Sequence, residues 1–313
     1  MESALAIEGA CRIGDWGVIR ASGADAAKFL QGQLTNDVLA LGTDEARLAG
    51  FCSAKGRLQA SFVVWRSGEG EFLLACAADL LAPTLKRLSM FVLRAQCRLS
   101  DASGEIALWG LAGAPAEALA GDAGVWRRRP LGDAATAIRL PDAAGHVRVL
   151  AAVPAGSDAP APAGTLTPDA WRWLAVQSGV VTIEAATVDR FVPQMVNFEL
   201  VGGVDFQKGC YPGQEVVARS QYRGTTKRRV FLFDAEQPPR AGDDVYAGGA
   251  AAEPVGTVAG AALHPAGRGA SALVEVRLAA LGDGDLHLGA ADGPLLRRTP
   301  LPYPVALDGE PVV

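Results

Sequence analysis

The feature that most restricts how this chain can fold is a change of texture near residue 226. Beyond that point "RRVFLF", "DDVYAG", "PVGTVAGAAL" and "SALVEVRLA" are short, β-branched or alternating segments divided by glycine and proline. Strands that short have one apolar face each and edges that need partners; a small antiparallel barrel satisfies both. The preceding residues follow a mixed pattern. "DWGVIRASG" (15–23) predicts a strand ending in a turn, and "ADAAKFLQGQLTNDV" (24–38) sets Ala27, Leu30 and Leu34 at helical spacing. "RLAGFCSAKGRLQASFVVWRSGEGEFLLAC" (47–76) predicts paired strands turning at Lys55-Gly56 and at Ser67–Gly70, and a helix follows over 79–92. This order is α+β and not alternating βαβ. A length of 313 residues exceeds one comfortable core. We therefore expect an α+β region over 1–227 made of two subdomains, loop-rich near 110–168, and a barrel over 228–313. "VPAGSDAPAPAGTLTP" is the clearest linker; after it Thr167 or Asp169 is a plausible N-cap for a helix ending at Gly179.

Composition removes several classes of function. The net charge of −5 leaves no excess cation for a phosphate backbone, so a direct nucleic-acid partner is not expected. "MESALAIEGACRIGD" has neither a basic start nor an apolar stretch, and "FLLACAADLLA", broken by Asp79, is about half of the roughly 20 residues a membrane span needs. The expectation is a cytoplasmic protein with no membrane segment. Cys11, Cys52, Cys76, Cys97 and Cys210 are widely spaced, with no C-x-x-C and no Cys/His cluster, so no resident metal site is expected. Four of them read as small buried hydrophobes.

Cys210 is the exception. It stands in "FQKGCYPGQEVVAR" (206–219), where Pro212-Gly213 suits the centre of a type II turn and "GQEVVARS" continues as a short helix. A thiol just upstream of a helix N-terminus and beside Lys208 is favoured as thiolate, while Glu215 opposes this. The alternative is a packed cysteine in a tight loop. Arg219, Arg223, Lys227, Arg228 and Arg229 form a cationic run that is either a solvated face or a rim for carboxylates. Trp171 and Trp173, two apart on one helix, cannot point the same way; one can be core while the other lines a cavity. Trp16, among Gly14, Asp15 and Gly17, reads as an exposed strand start.

"KGCYPGQEVVAR" followed by R-G-x-x-K-R-R (223–229) resembles the signature of the YgfZ family, folate-binding proteins that maintain iron–sulfur enzymes and are related to the T-protein (aminomethyltransferase) of glycine cleavage. "DWGVIRASGADAAKFLQGQLTNDV", "AKGRL" (54–58), "FVPQMVNFELVGGVDFQKGC" and "LPYP" (301–304) extend the resemblance over nearly the whole chain, most weakly at 100–165. The resemblance implies a ring of subdomains around a folate-binding centre with a C-terminal barrel. It implies tetrahydrofolate as ligand, with the pterin near Trp16 and Trp171 and the glutamyl carboxylates near Arg223, and iron–sulfur client enzymes as partners. Gln177 falls where the T-protein has a pterin-binding glutamate, and Ala60 and Ser61 fall where it has an aspartate pair with one catalytic member. That replacement argues against aminomethyl transfer. The same resemblance makes Cys210 the functional thiol, at the edge of the folate cavity with Lys208 beside it, and links the family to tRNA modification indirectly, through iron–sulfur modifying enzymes.

Overall fold

The structure, a computed structural model, describes residues 7–132, 134–162, 164–222, 226–249, 253–282 and 284–305. Three all-antiparallel sheets organise it. The first is built from β2 (Trp16–Ser22), β3 (Ala46–Cys52), β4 (Leu58–Gly68), β5 (Glu71–Ala77) and β6 (Arg98–Asp101), in the order β3-β4-β5-β2-β6. The second takes β1 (Gly9–Arg12), β7 (Ile106–Ala112), β8 (Arg128–Pro130), β9 (Thr136–Ala143) and β10 (His146–Pro154), in the order β1-β7-β10-β9-β8. The third is the expected barrel, closed as β11 (Arg228–Ala235), β14 (Ala270–Arg277), β13 (Gly256–Leu263), β12 (Asp244–Ala247), β15 (Leu286–Leu288) and β16 (Leu295–Thr299).

Strand alternation explains how these layers share cores. On β4, Ala60, Phe62 and Val64 face one way and Val63 and Trp65 the other, and both faces are buried. Val63 and Trp65 meet Leu108 of β7, Ile138 of β9 and Leu150 of β10, so the two open sheets stack over one apolar layer. The opposite face of the first sheet is covered by α1 (Ala26–Gln31), by α2 (Ala78–Val92) and by residues 176–204, and it runs on into Val230 and Leu232 of the barrel. α4 (Pro168–Gln177) starts at Thr167, whose hydroxyl accepts the Ala170 N–H, and stops at Gly179 with φ +70°. It lies between the second sheet and β13 of the barrel, the junction where the site forms.

Two local expectations need correction. Residues 110–124 are not a loop: β7 runs to Ala112 and α3 spans Ala114–Ala120. Ala10, Ala116, Ala120, Ala137 and Ala151 are buried in one cluster, and their small side chains let helix and sheet approach closely. The helix expected over 24–38 ends at Gln31. Beyond it the Thr35 hydroxyl donates to Gly203 O (2.6 Å) and accepts from Gly50 N (2.7 Å), and the Asn36 amide donates to Leu48 O and Gly202 O. These tertiary bonds outcompete another helical turn.

Candidate functional site

A two-lobed cavity, about 100 Å³ in one lobe and about 40 Å³ in the other, opens where α4, the two stacked sheets and the barrel meet. Trp16, Arg148, Val180 and Thr182 line both lobes. Trp171 lies on the wall of the larger lobe, and its indole rests on β7 at Gly110; a Cβ there would come within 2.4 Å of the ring. The Arg148 guanidinium stands over the same ring, 4.5 Å from its centroid. Arg148 is only 4 % exposed, and its Nε has no hydrogen-bond partner. Burial pushes its pKa down to about 9, with Asp142 working against the shift and Arg139 with it, so it remains a cation at neutral pH.

Trp173 points elsewhere on α4. Its Nε1–H donates to Ser271 Oγ (3.1 Å), as does the Gln177 amide (2.9 Å), while that hydroxyl donates to Asp234 Oδ1 (2.8 Å). Ser271 thus fills both lone pairs and its one donor, fastening α4 to the barrel. Gln177 is held in this brace, away from the cavity that Trp16 and Trp171 share. Ala60 is packed in the core, and Ser61 lines the smaller lobe with its hydroxyl accepting the Ile183 N–H (2.9 Å). Carboxylates are nonetheless present on the larger lobe. Asp15 pairs with Arg172 at 2.6 Å, and Glu184 has its pKa raised, first by desolvation and then by Asp79 and Asp15.

The cysteine loop occupies a different part of the fold. Gly213 has φ +79°, as a type II turn requires, and a Cβ on it would meet Ser53 O at 2.4 Å and Gly56 Cα at 2.6 Å. Gly56, in the β3–β4 turn, would in turn strike Val216 of α5 (Gln214–Tyr222). The close backbone approach at Gly213 is therefore made to the chain's own hairpin. Lys208 is buried and donates to Gln31 O and Leu34 O at the end of α1, with Tyr211 5.1 Å away. Desolvation draws its pKa down to about 8. Its hydrogen bonds are spent on α1 and not on the thiol. Cys210 is the one exposed cysteine of the five, and no residue of its loop lines either lobe. Cys11, Cys52 and Cys76 are buried, and Cys97 is half-buried.

The cationic run dissolves into separate roles. Arg228 pairs with Glu275 (Nη2 to Oε2, 2.8 Å), and Arg229 pairs with Glu199 and donates to Gln194 O. These brace the barrel and are not a free rim; Arg223 lies outside the described residues.

Residues 9–124 match the model of the GCVT N-terminal domain. A protein of Edwardsiella ictaluri (strain 93-146) called tRNA-modifying protein YgfZ is 34% identical over 253 residues, 75% of this chain and 74% of that one. The chain belongs to the YgfZ family. Proteins of the same name from Sodalis glossinidius (strain morsitans) and Escherichia coli O157:H7 (strain EC4115 / EHEC) are 32% and 31% identical, over 74% of this chain in both cases and 73% and 74% of theirs. The glycine cleavage system aminomethyltransferase T from Bartonella henselae superposes with a TM-score of 0.70 at 16% identity, over 93% of this chain and 85% of that one. The fold is thus T-protein-like.

In this YgfZ-family chain the cavity holds residues that the sequence reading passed over: Arg148, Glu184 and Thr182. For Arg148 a signal was present. In "HVRVLAAVP" it falls in phase with Leu150 and Ala152, a charge on the apolar face of a strand. Among the described residues no group of three or more His, Cys, Asp or Glu side chains could hold a metal ion, and no helix is long and apolar enough to cross a membrane.

Proposed function

We infer that this protein binds tetrahydrofolate in the central cavity and acts as a folate-dependent accessory factor for iron–sulfur enzymes, including those that modify tRNA. The observation that carries the reading is the cavity itself: two tryptophans converge with a buried, unsatisfied guanidinium at the junction of three sheets in a T-protein-like fold. Those residues fit a flat, hydrogen-bonding heterocycle, which needs apolar walls and a few fixed donors. The relatives' name, tRNA-modifying protein, agrees with a role close to tRNA modification. Ser61, its hydroxyl engaged by Ile183, and Ala60 leave no carboxylate at the positions of the T-protein pair. Cys210 is proposed as the working thiol toward clients, reached from solvent and separate from the folate.

The test has two parts. Tryptophan fluorescence titrated with tetrahydrofolate should respond; silence at millimolar ligand rejects the folate reading. A deletion strain should lose iron–sulfur enzyme activities, and Cys210→Ser should fail to restore them. Full rescue by that variant rejects the thiol's role.

One observation favours a second reading. Asp15 and Glu184 place carboxylates at the cavity, and the raised pKa of Glu184 moves it toward the range of a general acid–base. Turnover of an aminomethyl or methylamine donor with tetrahydrofolate, lost in Glu184→Gln, would make the protein a one-carbon transferase.

A further inference from the structure

Arg148 is an unusual element of this molecule. A buried guanidinium normally meets a carboxylate or several carbonyls, because an uncompensated charge in the interior is costly. None meets this one. Its Nε is buried without a partner, and no hydrogen bond or ion pair from its side chain exists among the described residues. Asp142, the acidic group that acts on it electrostatically, is already committed to Arg139. What holds Arg148 in place is packing: β10 fixes its backbone opposite Ala112 and Leu140, and the Trp171 ring lies beneath the guanidinium, itself seated on Gly110. An arginine stacked on an aromatic ring keeps its in-plane N–H groups free. Arg148 lines both lobes of the cavity, so that donor edge is available where a ligand would enter.

We propose that Arg148 is the ligand-reading residue of the central cavity: its guanidinium fork donates two hydrogen bonds to acceptor lone pairs lying in the plane of the ligand, and Trp171 serves mainly to hold the fork flat. The proposal rests on the folate reading for its ligand and deepens it. Two parts of a folate offer in-plane acceptors to such a fork: the pterin carbonyl, through the two lone pairs of its oxygen, and a glutamyl carboxylate, through its two oxygens. The interior position of Arg148 favours the pterin carbonyl, because a tail with two carboxylates would leave one of them buried without a partner. Trp171 is then a positioning residue as much as a stacking surface, since its ring is already in contact with Gly110 and Arg148.

Calorimetry and thermal melts of the full chain test this with three probes: tetrahydrofolate, a tetrahydropterin lacking the tail, and p-aminobenzoylglutamate. Wild type should bind the first two. Arg148→Met should lose about tenfold or more for both, the loss of a charged hydrogen bond, while its ligand-free melting temperature equals or exceeds that of wild type, because an uncompensated buried charge has gone. A purely structural arginine would give the opposite melt. If Arg148→Met fails to fold, Arg148→Lys, which keeps the charge but not the fork, should show the affinity loss. If only p-aminobenzoylglutamate discriminates wild type from the variant, the acceptor pair is the carboxylate and the arginine keeps its role. Affinity within twofold of wild type for all three probes in either variant overturns the proposal. Should wild type bind none of the three, the folate reading fails, and benzoate, a bare planar carboxylate, decides the arginine: protection of wild type and not of Arg148→Met sustains it, and equal behaviour ends it.

Discussion

The central cavity and the cysteine loop solve opposite problems with opposite kinds of sequence. The loop is contiguous: within Lys208–Gly213 one lysine clamps α1, one glycine fits against a hairpin, and one thiol is left outside. The cavity is assembled from Trp16, Arg148, Trp171 and Thr182, contributed by separate segments spread over most of the first 182 residues. In the loop, most of the unusual residue types serve packing, and Cys210, next to the exposed Gly209, faces solvent. In the cavity, an ordinary-looking strand arginine stacks on Trp171 and, among the described residues, has no hydrogen-bond partner at its Nε. A conspicuous motif is thus not the same thing as a binding site, and a binding site need not be a motif.

The comparison can be sharpened first through pH, where the largest effect is expected. Burial raises the thiols of Cys11, Cys52 and Cys76 to about 11, 12 and 12, and the Tyr303 phenol to about 12. Below their ordinary values these groups are neutral in both folded and unfolded chains, and their contribution to stability is intact. As pH rises from about 9 toward 12 the unfolded chain releases these protons first, so stability falls. Lys208, lowered to about 8, and Arg148, lowered to about 9, work in the other direction as pH rises toward their ordinary values, but they are two groups against these four. The melting temperature should therefore drop steeply above pH 9, and a flat profile through pH 11 would show that the buried thiols are not as enclosed as they look.

Trp171→Ala should cost about 3–5 kcal/mol by denaturant unfolding, because it removes a buried indole from the wall shared by α4, β7 and β10. The reactivity of Cys210 in the native state should be unchanged. A change in both would mean that cavity and loop are one unit.

Gly213→Ala strikes the other region. With positive φ and a backbone oxygen 2.4 Å from the new Cβ, it should destabilise by about 1–3 kcal/mol and leave tetrahydrofolate affinity within a few-fold. Lost affinity in a folded variant would tie the loop to the cavity after all.

The smallest effect belongs to Cys210→Ser, which should shift stability by about 0.5 kcal/mol or less, as exposed substitutions do. Under native conditions iodoacetamide should modify one thiol quickly in wild type and none in the variant. Fast labelling of a second cysteine would remove the distinction between Cys210 and the other four.

Much of the architecture was legible in the chain before any coordinates. The texture change near 226 encodes the barrel, and β11 begins at Arg228. The Pro212-Gly213 turn, the Thr167 cap and the Gly179 stop are local, because backbone dihedrals and one side-chain oxygen settle them. The second sheet was not legible. β7 and β9 carry two alanines each and only one and two β-branched residues, so their strand signal is weak, and their long-range pairing with β10 identifies them.

What the sequence by itself determined is therefore the set of local conformations, the closing barrel, and, by its resemblance, the family. The tertiary structure decided which polar groups are spent and which are spare. Lys208 and Arg229 are charged residues in an obvious motif, yet carbonyls at the end of α1 and Glu199 consume them. Gln177 stands where a pterin contact was expected, yet Ser271 takes it. Arg148 drew no notice as a letter, and among the described residues its buried Nε has no hydrogen-bond partner. The physical reason is that a hydrogen bond or ion pair depends on two groups meeting at about 3 Å, and sequence distance says almost nothing about which distant groups will meet.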